Sequence, residues 1–182
     1  MRIHSKDDGA ALVEFALIAT LLFTILFGII EFGLAFRDWL SVTSSTREGA
    51  RVAAAAGNEP DADCAILNAM TGPLLAVPTD DADTFRVFIY KANNDGSISG
   101  EFQEFTANDG TSLDPVDCNK SWDRVTNGYP PANRKVTFDD LDTVGIRIEF
   151  THQWVTGFFP GGNPDWTDDA IMRMEPKSFA SP

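Results

Sequence analysis

Glu14 is the one ionisable residue between Ala10 and Ile30 of the run GAALVEFALIATLLFTILFGIIEFG, residues 9–33. An ionised carboxylate at membrane depth is expensive, so it needs either a cationic partner or a path to the headgroups. Glu31 lies 17 residues on, about 25 Å along a helix axis, near the opposite interface, where reaching the headgroups or an ion pair with a neighbouring subunit suffices. The two cysteines, Cys64 and Cys118, have neither CxxC spacing nor a nearby histidine, so a metal site is not indicated. As an even pair outside the cytoplasm they read as a disulfide, whose loop of roughly 55 residues contributes about 4 kcal/mol on the chain-entropy model. His152 lies in a strand-like segment beside Trp154, with no identifiable nucleophile, and reads as structural rather than as a catalytic base. Asp80 with Asp81, and Asp139 with Asp140, belong to acidic loops and define no hydrolase geometry. In KANNDGSISGE, Asn93, Asp95 and Gly96 stand in calcium-loop order, but Lys91 occupies the first ligand position and Phe102 the last; the segment reads as a turn. No enzyme activity, metal or cofactor is expected. The stretch HQWVTGFFPGGNPDW gathers Trp154, Phe158, Phe159 and Trp166 around a Pro/Gly turn, a composition that either contacts a partner or packs on the domain's own helix.

The elements that position these groups follow from the patterning. A helix over Ala10 to Phe36 is about 40 Å long, more than the roughly 30 Å of a bilayer core, and its apolar run is too long for a cleaved secretory signal. It reads as a retained membrane anchor. Arg2 and Lys6 precede it while Arg37, Arg47 and Arg51 follow, so counting positive charge does not orient it; the cysteine pair argues for an N-terminus inside and a domain outside. After Gly57 the chain carries 9 Lys and Arg against 21 Asp and Glu, or −12 of its total −13. Such a surface repels nucleic acid and anionic lipid.

From Arg37 to Ala56 the composition continues the helix outward, with Leu40, Val42, Val52 and Ala53 to Ala56 expected to cover one face of a sheet. Arg47 and Arg51, an i,i+4 pair, read as a solvated face open to acidic partners. GNEP at 57–60 stops the helix. A short helix is expected over Asp63 to Met70, ended by TGP. TFRVFIYKA, EFQEF and TVGIRIEFTHQWV read as strands, the first turning at NNDGS; in the third, Val144, Ile146, Ile148 and Phe150 share one face. Residues 106–140 are expected to be a long loop pinned by Cys118, and AIMRMEP a closing strand. The fold class expected is thus α+β: a long N-terminal transmembrane helix extending into a small, mostly antiparallel β-sheet domain.

The leader MRIHSKDDG ending in Gly9, the apolar helix from Ala10 and the glutamate at its fifth position resemble a type IV prepilin signal. With VEFALIATLLFTILFGIIEFG, STREGARVAAAAG and the closing AIMRMEP, the chain is similar to the TadE-like minor pseudopilins of tight-adherence (Tad, Flp-type) pili. The convincing part covers about 9–57. Family members commonly have proline after the first apolar turns, where this chain has Thr20, so no proline-dependent bend is inferred.

The resemblance implies a pilin-like fold and a division into leader 1–9, transmembrane and assembly helix 10–36, helix extension 37–56 and extracytoplasmic domain 57–182. It implies cutting between Gly9 and Ala10 by a prepilin peptidase, glycine allowing an extended backbone into a tight cleft. The new ammonium of Ala10 would be matched by Glu14 of a neighbouring subunit. Implied partners are the peptidase, other Tad pilins and pseudopilins, the inner-membrane assembly platform and the membrane, in the service of pilus assembly and adhesion. The alternative is an unprocessed single-pass protein whose outer domain binds a ligand or envelope partner.

Overall fold

A computed structural model describes residues 7–74, 76–77, 85–107, 115–116, 122–157 and 162–177. Its first element, α1 (Asp7–Ala56), is a single α-helix of 50 residues. Nothing in its sequence breaks it: no proline occurs, and the Thr20 and Thr24 hydroxyls donate to the carbonyls four residues back, which satisfies them within the apolar stretch. It stops where expected, at Gly57, whose φ of +58° ends the helix while its N–H still donates to the Ala53 carbonyl.

The second helix, α2 (Ala62–Leu74), outruns the expected stop and carries Pro73 in its last turn. A proline there removes one hydrogen bond. Burial of Leu74 in the core offsets that loss. The two helices cross closely at Gly49, where a Cβ would stand 2.5 Å from the Met70 sulfur. A larger residue at position 49 would have to displace the buried Met70 side chain, so packing there favours glycine.

Among the described residues eight strands follow: β1 (Phe85–Ala92), β2 (Ile98–Ala107), β3 (Pro115–Val116), β4 (Trp122–Asn127), β5 (Val136–Thr137), β6 (Asp140–Leu141), β7 (Thr143–Thr151) and β8 (Asp165–Arg173). Six form one sheet in the order β3-β4-β2-β1-β7-β8, every neighbour antiparallel, while β5 and β6 make a separate hairpin. The α+β expectation, a long apolar helix followed by a small antiparallel sheet, is borne out. The expected loop over 106–140 is corrected: it contains β4, anchored by buried Trp122, and the β5–β6 hairpin. The closing strand begins at Asp165, before AIMRMEP.

Period-2 alternation puts Val87, Ile89, Ile146, Ile148 and Phe150 on the face that meets the helices, as read from sequence. The helix contributes much of the set expected: Val42, Ala53 and Ala54 are buried and Val52 packs against the core, joined by Ala50, whereas Leu40 is 60% exposed. The outer sheet face is not simply polar either. Phe88, Tyr90 and Ala92 form a second small cluster with Ile98 and Phe102, and the Tyr90 ring lies over Gly145.

Candidate assembly site

The first half of α1 is bare. From Gly9 to Ile30 its residues are exposed apart from partial cover at Ala19 and Gly28, and Leu12, Phe15 and Leu17 are each at least 70% accessible. Length and composition make this a helix able to cross a membrane. Gly9 and Ala10 fall in its first turn, and Glu14 one turn further on is exposed, with no hydrogen-bond or ion-pair partner among the described residues.

Cover begins at Glu31. From there a single stripe of α1 faces the domain: Glu31, Ala35, Asp38, Val42, Ser45, Gly49 and Ala53, spaced by three or four residues. Two of these are acids, and both are matched. Glu31 accepts from the Val155 N–H at 3.1 Å and from the N–H and hydroxyl of Thr156 at 2.5 Å each. It was expected to reach headgroups or pair with a neighbouring subunit; instead it is fully buried and clasps the loop after β7. Asp38 lies 2.9 Å from His152 Nδ1 and also accepts from Arg37. With a carboxylate as its partner, Nδ1 carries the hydrogen.

His152 is thereby structural, as its sequence context indicated. Its ring stacks on Trp166 at 5.2 Å and meets Trp154 edge-on at 4.8 Å. Trp166 in turn packs edge-to-face on Trp39 of α1 at 5.8 Å and on Phe150 at 5.2 Å. Trp166 thus packs on the domain's own helix and Trp154 on His152, while Phe158 and Phe159 lie outside the described residues. A shallow apolar groove remains on this side, lined by Phe32, Ala35, Phe36, Trp39, Trp154 and Trp166.

A second buried polar cluster fixes the far end of the helix. Arg134, fully buried, pairs with Asp63 in the first turn of α2, donates to Gln103 Oε1 at 2.9 Å and reaches the Gly57 carbonyl at 3.4 Å. Gln103 returns a hydrogen bond to Asp63. Nearby, Tyr129 donates to Asp142; burial first and that carboxylate second push its phenol well above the usual range.

The remaining candidates separate cleanly. Arg51 pairs with Glu48, which it holds below the usual carboxylate range, and Arg47 is exposed beside it, so this face is a solvated one. Asp95 accepts from the Ser97 N–H and hydroxyl, committing it to the β1–β2 turn. Among the described residues no group of His, Cys, Asp and Glu is placed to hold a metal. Cys64, half-buried on α2 against the core, is a bonded cysteine; Cys118 lies outside the described residues.

The bare apolar half, the lone Glu14 and most of the stripe beginning at Glu31 fall within one matched segment. Residues 9–51 match the model of the TadE-like protein family. It is the family that these residues resemble by eye, one associated with Tad pili. The TadE-like segment ends inside the covered part of α1, so the sheet domain lies beyond it. No curated protein and no solved structure matches the chain. Sequence reading missed Glu31 and Asp38 as docking residues, although a signal existed: Glu31, Asp38 and Ser45 recur every seven residues, two helical turns, along one face.

Proposed function

We infer that this protein is a minor pseudopilin of a Tad-type pilus, held in the inner membrane by α1 with its sheet domain outside. The observation that carries this reading is the bare half of α1: a TadE-like apolar helix, exposed all round, with a solitary exposed carboxylate one turn after a Gly–Ala junction. A monomer leaves that surface uncovered, and lipid or the helices of other subunits cover it in use.

Processing after Gly9 releases Ala10 with a terminal ammonium, and in an assembled pilus Glu14 of one subunit meets the ammonium of its neighbour. The cut requires the first turn of α1 to unwind, since Gly9 is helical in the uncut chain. The partners are the prepilin peptidase, other pilins and pseudopilins and the assembly platform, and the pilus serves adhesion. Cys64 pairs with Cys118, which is supported by the bonded state of Cys64 and fits an oxidising compartment. The family context supports a non-enzymatic role.

The test is intact mass and N-terminal sequencing of the protein from cells with and without the prepilin peptidase. A peptidase-dependent start at Ala10 is expected. The unprocessed N-terminus in both strains would overturn processing and favour an anchored binding protein.

A further inference from the structure

The sheet domain is fastened to α1 at two levels. Near its outer end, the Glu175 N–H donates to the Ala54 carbonyl and the Lys177 N–H to Val136 of the β5–β6 hairpin. At its inner end, Glu31 holds the backbone of Val155 and Thr156. The strands therefore have a membrane-distal end, near Asp142 and Phe138, and a membrane-proximal end, near Thr151. The last residues of β7 lead down the helix to the level at which cover begins.

That level can be placed against a bilayer. Twenty residues from Ala11 to Ile30 make about 30 Å of helix, the thickness of the hydrocarbon core. Glu31 and the loop clasped to it then sit at the outer boundary of that core. Arg37, half-exposed, stands about 9 Å higher, within the headgroup layer. Val155, 66% exposed, points away from its own clasped backbone, and the groove lined by Phe32, Phe36, Trp39 and Trp154 is continuous with the bare apolar surface of α1. Three tryptophans line it, Trp39, Trp154 and Trp166, and the Trp154 indole N–H donates to the Gly162 carbonyl, an arrangement of apolar face and satisfied polar edge suited to the membrane interface.

We propose that the 154–157 loop, clasped by Glu31, is a second membrane contact: Val155, Trp154 and the groove beside them seat in the acyl and glycerol layer of the outer leaflet. The proposal rests on the reading of α1 as a span. The occupant is lipid because the groove adjoins the surface that only lipid covers when the subunit is alone in the membrane. Attraction is apolar, since the acidic domain gains nothing from anionic headgroups. The contact fixes the tilt of the domain on the membrane before assembly and gives way to neighbouring subunits on extraction.

The experiment uses the full chain in phosphatidylcholine vesicles, with a nitroxide label on Val155→Cys, Phe138→Cys or Leu21→Cys and the unsubstituted protein setting background labelling. Collision with oxygen, which concentrates in lipid, is compared with collision with a water-soluble nickel chelate. The ratio at position 155 is expected to approach that at 21 and to exceed that at 138 severalfold. A ratio at 155 like that at 138, with 21 still in lipid, overturns the docking and leaves the span standing. Shielding of 155 from both reagents means that protein covers the loop and also overturns it. A label at 21 open to the chelate removes the span, and the proposal with it.

Discussion

Glu14 and Glu31 are the same residue on the same helix, yet one is bare and the other enclosed by three donors. The difference divides α1 into a half whose partners must come from outside the chain and a half whose partners are supplied by it. Burial alone does not mark the division, because the bare half is the more apolar. What marks it is whether polar groups are answered: in the covered half, Glu31, Asp38 and Ser45 all have acceptors or donors from the domain. Stability therefore resides in the covered half, and on the proposed reading assembly belongs to the bare one.

The strongest test of that division removes the cluster at the outer end of α1. Arg134→Met leaves the Asp63 carboxylate buried with Arg124 only 3.8 Å away as a cation, and should cost about 3–5 kcal/mol in denaturant unfolding of the protein in micelles. Helical circular dichroism from the bare half should survive the transition; its disappearance with the sheet signal would show that the two halves are one cooperative unit.

Glu31→Ala acts at the boundary itself and should be milder and more local. Three donors lose their acceptor, so amide exchange at Val155 and Thr156 is expected to rise severalfold while the central strands β1 and β7 stay protected. Unchanged exchange at those two amides would mean that the clasp contributes nothing.

Alkaline titration sharpens the picture within the covered half. Both tyrosines of the chain, Tyr90 and Tyr129, have phenols raised by burial first and by Asp169 or Asp142 second. Since their folded values lie above the unfolded 10.0, the stability they contribute is complete below about pH 10 and is lost as pH rises beyond it. Phenolate absorbance should appear only together with loss of the tertiary signal. Its appearance in the intact fold would show the rings to be open to solvent.

Glu14→Ala should have the smallest effect on stability, within about 0.5 kcal/mol, because it has no hydrogen-bond or ion-pair partner among the described residues. The variant should be processed normally and enter pili poorly. Full pilus assembly would break the charge-pairing account.

How much of this was legible depended on where the partner of each residue lies in the sequence. The end of α1 at Gly57 and the buried faces of β1 and β7 were readable because helix capping and strand alternation are local signals. β4 was not, since WDRVTN is short, polar and surrounded by Asn, Asp and Gly, and Trp122 is its one residue in the apolar core. Leu40 was assigned to the covered side because it is apolar, when the polar stripe was the better guide to the face. The Glu31 clasp was illegible for a plainer reason: its donors are two backbone N–H groups and a threonine hydroxyl more than 120 positions away, which carry no sequence signature. Gly9, Ala10 and Glu14 stood out because an ionisable residue in an apolar run is conspicuous without any tertiary knowledge.

The two fastenings of the domain also have a mechanical meaning. Glu31 and Ala54 bracket the covered half about 35 Å apart, and both bind the domain through hydrogen bonds. Traction along the helix axis loads both brackets and the packed stripe between them together, in shear, instead of peeling contacts one after another. The helix can thus serve as a tow bar, and stretching a single molecule by its two ends should show the domain parting from it in one high-force rupture.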